Sequence, residues 1–215
     1  YLLFLKMLEE TGQEARLPNG HSWRKLASIE GGDQLEYYKA MLLELGNPKK
    51  TTDPVTLAIF TDAMTHIRLP KDLKTLTTNI DKLDWFSARE DGLGDLYEGL
   101  LEKTTSATKS KAGQYFTPRA LIDSIIRLVK PQPGEIIQDP AAGTGGFLIA
   151  ADRAIKDTTD DLFTLSEEQG NFQRRLAFRG HEWVPDTHRL CVMNMLLHGI
   201  ESLVGCEDSC APQGE

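Results

Sequence analysis

Cysteine is scarce in this 215-residue chain: there are three, Cys191, Cys206 and Cys210, all in the last quarter. That is too few for a disulfide framework, and it points to a reducing setting, the cytoplasm. Cys206 and Cys210 stand four apart with His198 upstream, but a zinc site wants four ligands and a tighter pair. Incidental cysteines are the simpler reading. No run approaches the ~20 apolar residues of a membrane-spanning helix, no signal peptide is visible, and no membrane partner is expected. The chain also lacks an excess of positive charge: its net charge is -8. That argues against a chain that grips nucleic acid by itself, since neutralising phosphates needs clustered Lys and Arg. One stretch departs from this balance. Between Glu102 and Lys130, six cations (Lys103, Lys109, Lys111, Arg119, Arg127, Lys130) face two carboxylates (Glu102, Asp123), which makes either a local basic face or a solvated helix surface. There is no internal repeat, and no initiator Met precedes Tyr1-Leu2-Leu3-Phe4-Leu5, so the chain is expected to be a fragment of a longer protein.

The remaining composition, 40% hydrophobic and 26% charged, is that of an ordinary globular protein. Residues 1–103 read as a helical domain. Tyr1 to Leu8 is densely apolar. Leu35, Tyr38, Leu42 and Leu45 recur at helical spacing, with Gly46 as a stop signal. Asp53-Pro54 has the form of an N-cap and first-turn proline. Leu93, Leu96, Tyr97, Leu100 and Leu101 share a helical face. Trp23, Tyr37, Tyr38, Trp85 and Phe86 are expected in the core. Residues 104–112 are polar and aperiodic, and read as a linker.

After the linker the pattern changes. Thr117-Pro118 should cap a helix whose apolar side is Leu121, Ile122, Ile125, Ile126 and Val129. A strand near Ile136, a helix from about Gly146 to Lys156, a strand over Leu176–Glu182 and a helix from Pro185 through Leu197 follow. Helix, strand, helix, strand, helix is the opening of a parallel α/β sheet.

The first strand runs into Asp139-Pro140-Ala141-Ala142-Gly143-Thr144-Gly145-Gly146-Phe147. Glycines here let a ligand approach the backbone, and the helix start behind them offers unpaired N–H groups. No Gly-Lys-Ser or Gly-Lys-Thr follows, so this is not a phosphate-binding P-loop. The glycine spacing and the distance to Glu182, beyond the ~20 residues expected, do not suit a dinucleotide fold. An acid ahead of the glycines repels a pyrophosphate but suits a cationic or hydroxyl-bearing ligand such as S-adenosylmethionine. Ligands of such sheets bind at the carboxyl ends of strands, where both Asp139 and Glu182 fall; Glu182 suits ribose hydroxyls.

These stretches resemble the modification (methyltransferase) subunits of type I restriction–modification systems, a family of adenine-N6 DNA methyltransferases. Asp139 to Phe147 resembles the family's methyl-donor loop, with Ala142 where a cysteine is often found. Gly113-Gln114-Tyr115-Phe116-Thr117-Pro118 resembles its motif just upstream. Gly180-His181-Glu182 resembles the strand with the ribose acid, and Asp95-Leu96-Tyr97-Glu98-Gly99-Leu100-Leu101 a helix before the linker. The resemblance implies a Rossmann-like α/β S-adenosylmethionine-dependent methyltransferase domain, of which residues 113–215 are the N-terminal half, preceded by an all-α domain. It implies donor contacts from Gln114, Tyr115, Phe116, Thr117, Asp139, Ala141, Gly143, Thr144, Gly145 and Glu182, with Asp208 at the adenine amino group and no metal. The implied partners are DNA, a specificity subunit, a second modification subunit and a restriction subunit.

The family's Asn-Pro-Pro-Phe type motif, which accepts from the exocyclic amine of an extruded adenine, is missing. Asn47-Pro48 is followed by Lys49-Lys50, and Asp53-Pro54 by Val55. The resemblance places that motif beyond Glu215, so this polypeptide alone is expected to bind donor weakly or not at all and not to methylate. A solitary or fused adenine methyltransferase, or a non-catalytic partner-binding fragment, are the alternatives.

Overall fold

A computed structural model describes residues 1–107 and 117–210, with the backbone alone at 90, 91 and 104–107. The chain divides into two compact units, Tyr1–Leu93 and Gly94–Glu215.

The first unit holds α1 (Leu2–Glu10), α2 (Trp23–Ser28), α3 (Gly31–Leu45), α4 (Pro54–Phe60), α5 (Pro70–Asp81) and α6 (Trp85–Asp91), with a short 3-10 turn at Glu14–Arg16. Its core is made by Phe4, Leu5, Met7 and Leu8 of α1 with Trp23, Leu26, Tyr38, Met41, Leu42, Leu45, Ile59 and Phe60. Local chemistry sets the helix ends. The Asp53 carboxylate accepts from the Thr56 N–H with Pro54 in the first turn, and Ser22 caps α2 through Lys25. Lys6 is buried but not bare: its ammonium reaches Glu9 at 2.6 Å and Glu10 at 2.8 Å. Phe86, expected inside, is 65% exposed. On this short helix Trp85 takes the inward place instead, donating from Nε1 to the Ile80 carbonyl.

The second unit begins with α7 (Leu93–Ala107), continues with α8 (Arg119–Val129), β1 (Ile137–Asp139), α9 (Gly146–Thr158), α10 (Glu167–Arg175), β2 (Phe178–His181) and α11 (Pro185–Leu197), and reaches β3 (Val204–Gly205). The three strands are parallel in the order β1-β2-β3. Ile137 faces Phe178, Asp139 faces Gly180 and Gly180 faces Val204. Leu148, Ile149, Ala151, Ala177, Phe178, Cys191, Met195, Ile200 and Val204 form the core around them. α11 is buried over most of its surface, from Cys191 through Leu196, as a helix must be when it carries apolar residues all round.

Several expectations need correcting. The boundary between units falls at 93/94, not 103, because Gly92, at φ +91, breaks the chain between α6 and α7. Residues 104–107 are helical rather than linker, since Thr and Ser cost only a few tenths of a kcal/mol more than Ala in a helix, roughly, and a polar run does not end one. Residues 108–112 lie outside the described residues. Pro118, not Thr117, is the N-cap of α8, and no side chain caps that end. Only Ile122 of the expected apolar side of α8 is buried; Leu121 and Val129 are exposed.

Gly46 does end α3, but not through a left-handed turn: its φ is -85. A Cβ there would lie 2.2 Å from the Phe60 carbonyl oxygen. Gly46→Ala should therefore destabilise the first unit by about 1–3 kcal/mol, the usual cost of overpacking, because a backbone carbonyl cannot step aside. Urea unfolding measures this; a change under about 0.5 kcal/mol, the level of an ordinary surface substitution, would contradict the packing account.

Candidate donor-binding site

Parallel strands bring the carboxyl ends of β1 and β2 to one edge of the sheet, and the two acids of the sequence analysis arrive there together. Asp139 closes β1, and its Oδ1 accepts from the Ala141 N–H at 3.0 Å. Glu182 directly follows β2. Its Oε2 accepts from the Gly143 N–H at 3.0 Å and its Oε1 from the Val184 N–H at 2.8 Å. The loop between Asp139 and α9 is thus tied to the end of the neighbouring strand, a tie reinforced by the Ala142 N–H donating to the His181 carbonyl.

The glycines have distinct tasks. Gly145, the residue before α9, has φ +84, a left-handed conformation that favours glycine. A Cβ on it would also press on Cys191 Sγ at 3.2 Å and Met195 at 3.3 Å. Gly146 lies against Ile122, and Gly180 lies 3.0 Å, measured from its would-be Cβ, from the Asp139 carbonyl. No side chain caps the start of α9, so its first N–H groups and the positive end of its dipole are free for an acceptor from outside.

The loop borders a cavity of about 490 Å³ lined by Thr117, Asp139, Ala141, Ala142, Gly143, Thr144, Gly146, Phe147, Glu182, Val184, Thr187 and Leu190, with Ile122 at its wall. The volume falls in the range of small-ligand sites, ~300–1,000 Å³. Of the residues expected to touch a donor, Thr117, Asp139, Ala141, Gly143, Thr144 and Glu182 line this one space. Gly145 lies buried in the loop behind it. Gln114, Tyr115 and Phe116 lie outside the described residues. Asp208 is exposed and accepts from the Cys210 N–H at 2.9 Å, and it is not in the lining. Its Oδ1 closes a local turn. The sequence reading missed Gly146, Phe147, Val184, Thr187 and Leu190. The last two were visible as the start of a helical stripe behind Pro185.

Beneath the loop sits Cys191. Burial, with Asp139 and Glu182 nearby, pushes its thiol up to about 12. Cys206 and Cys210 are exposed, and among the described residues they share no three-ligand cluster. The one such cluster, Asp95, Glu98 and His198, is already met by arginines. Arg119 pairs with Glu98 and reaches Asp95 at 3.4 Å, and Arg153 reaches Asp95 at 2.6 Å. One cation of the basic stretch is therefore neutralised.

The N-6 DNA Methylase family profile matches residues 88–210, and the chain belongs to that family. It is similar to particular members. It is 52% identical over 205 residues to the type I restriction enzyme EcoKI methylase subunit of Escherichia coli K12. It is 51% identical over 205 residues to the StySJI methylase subunit of Salmonella typhimurium LT2. Each alignment takes in 93% of this chain and 38% of the relative, so the chain spans well under half the length of these proteins. The crystal structure of a type I restriction-modification methyltransferase subunit from Streptococcus thermophilus superposes with TM-score 0.60 at 21% identity. It covers 86% of this chain and 39% of that one, a likeness in fold. The resemblance to type I modification subunits drawn from the motifs holds across these sequence matches.

A thiol titration checks the environment of the loop. At pH 8, Cys206 and Cys210 should react with a disulfide reagent within minutes while Cys191 stays unmodified until the protein unfolds, because the thiolate is the nucleophile and a raised thiol holds almost none. Three equally fast thiols would contradict it.

Proposed function

We propose that this chain is the donor-binding part of a type I modification subunit, an adenine-N6 DNA methyltransferase, and that S-adenosylmethionine occupies the cavity beside Asp139 and Glu182. The observation that carries the reading is the placement of two carboxylates, on the ends of adjacent parallel strands, beside a glycine loop that turns through positive φ at Gly143 and Gly145. In this reading β1, β2 and β3 with their helices are the first half of a Rossmann-like sheet, and the helical first unit is a separate domain before it.

The donor set fits the ligand. Asp139 offers a carboxylate to the methionine ammonium, and the uncapped start of α9 favours the methionine carboxylate. Each oxygen of Glu182 already accepts one backbone N–H, which leaves a lone pair on each for ribose hydroxyls. Thr117, from the upstream motif, lines the same space. When bound, the sulfonium supplies an electrophilic methyl group. These residues orient the donor and shield one side of it from water. The sequence contains no Asn-Pro-Pro-aromatic segment, so we assign extrusion and holding of the adenine to other parts of the subunit. We place the enzyme in the cytoplasm, working on DNA with a specificity subunit, a second modification subunit and a restriction subunit. The names of the relatives, methylase subunits of type I restriction enzymes, and the DNA methylase family support the restriction-system setting and the DNA substrate.

Titrating S-adenosylmethionine into the full-length subunit by calorimetry tests the reading. Saturable binding is expected, weakened tenfold or more by Asp139→Ala, in the range of a lost charge-assisted contact. Labelled methyl transfer to adenine in hemimethylated DNA, by the subunit assembled with its specificity subunit, should fall in parallel. A folded full-length subunit that binds no donor, or binds it equally well with Asp139→Ala, would refute it.

A further inference from the structure

Asn194 is a polar residue in the most buried helix of the second unit. It lies on the same face of α11 as Cys191 and one turn from His198, and it is fully buried. Its Nδ2 donates to the Thr144 carbonyl at 2.9 Å, in the middle of the glycine loop. Its Oδ1 has no partner among the described residues. An apolar side chain of similar size would leave no such orphan, and an unsatisfied buried acceptor costs about 1–3 kcal/mol. The bond to Thr144 is therefore the one evident return on an amide at this position.

The same residue is tied in the other direction. The Asn194 backbone carbonyl accepts from His198 Nδ1 at 2.8 Å, so that nitrogen carries the proton. The His198 ring lies flat against α7, where a Cβ on Gly94 would come within 2.8 Å of it. Its Nε2 stands 3.8 Å from Asp95 and 4.0 Å from Glu98. Tyr97 of the same helix donates to Met193 Sδ at 3.2 Å. The Asp95–Leu101 segment, for which the donor cavity has no use, thereby holds α11 in place.

We infer that Asn194 is a positioning residue for the glycine loop: its side-chain amide holds the Thr144 carbonyl so that Gly143 and Gly145 keep their left-handed turns and the start of α9 stays open to the ligand. The loop geometry stands on this structure alone; the consequence for donor binding rests on the function proposed above.

The test has two arms, both in the full-length subunit assembled with its specificity subunit. Asn194→Leu keeps the heavy-atom count and removes the donor; Asn194→Ser, too short to reach the Thr144 carbonyl, serves if the first does not fold. Amide hydrogen exchange without ligand should speed roughly tenfold at Gly143 and Gly145, the size of one lost hydrogen bond, while the amides of β2 and α9 keep wild-type rates. In steady-state methylation the donor KM should rise roughly tenfold with kcat held within about twofold, the pattern of lost uniform binding. Unchanged exchange at the two glycines in a folded variant overturns the inference. Faster exchange there, in a protein that binds no donor in any form, upholds Asn194 as the brace of the loop and refutes the proposed function instead.

Discussion

The Glu182 carboxylate, held between the N–H groups of Gly143 and Val184, is the contact on which the site depends. A loop with three glycines has little of its own to fix it, and glycine gives up more backbone freedom on ordering than any other residue. Here the cost is met by neighbours rather than by the loop. Glu182 fastens its first half to the end of β2, and Asn194 fastens Thr144 to α11. Gly145, at φ +84, packs closely on Cys191 and Met195. The loop is held from two sides, by the end of β2 and by α11.

That arrangement also explains the electrostatics. Asp139 and Glu182 point their charges towards the same cavity, and the buried Cys191 thiol beneath them feels both. A site with two carboxylates and an uncapped helix start is selective by sign: it repels anions at its strand ends but accepts a carboxylate at the head of α9. A zwitterionic ligand with an ammonium, a carboxylate and vicinal hydroxyls meets each group with its complement. A pyrophosphate meets two like charges.

Much of this was legible in the sequence, unevenly. Pro185–Leu197 and the cap at Asp53-Pro54 appear as the residues indicate, because proline and a short acid act locally. The glycine loop was legible because few residue types tolerate its backbone. Three features were not. β3 is two residues long, and Val204-Gly205 carries no periodicity to read. The break at Gly92 was hidden inside a pattern that looked helical on both sides. The apolar side of α8 was visible, but periodicity tells which face is apolar and not whether anything covers it. Asp208 accepts from the Cys210 N–H, because a short acid in a polar segment turns readily to its nearest backbone N–H. Asn194 left a signal that could have been read, an amide on the stripe Thr187, Leu190, Cys191, Asn194, where every turn of the helix otherwise faces loop or core.

The central claim is that the cavity at the carboxyl ends of β1 and β2 takes the methyl donor. A crystal structure of the full-length subunit with S-adenosylhomocysteine, the product of that transfer, tests it most directly. The account requires ligand density across the Gly143–Phe147 loop, with the amino-acid end at Asp139 and the ribose at Glu182. Density elsewhere in the molecule, or the reverse orientation with the ribose at Asp139, would contradict it.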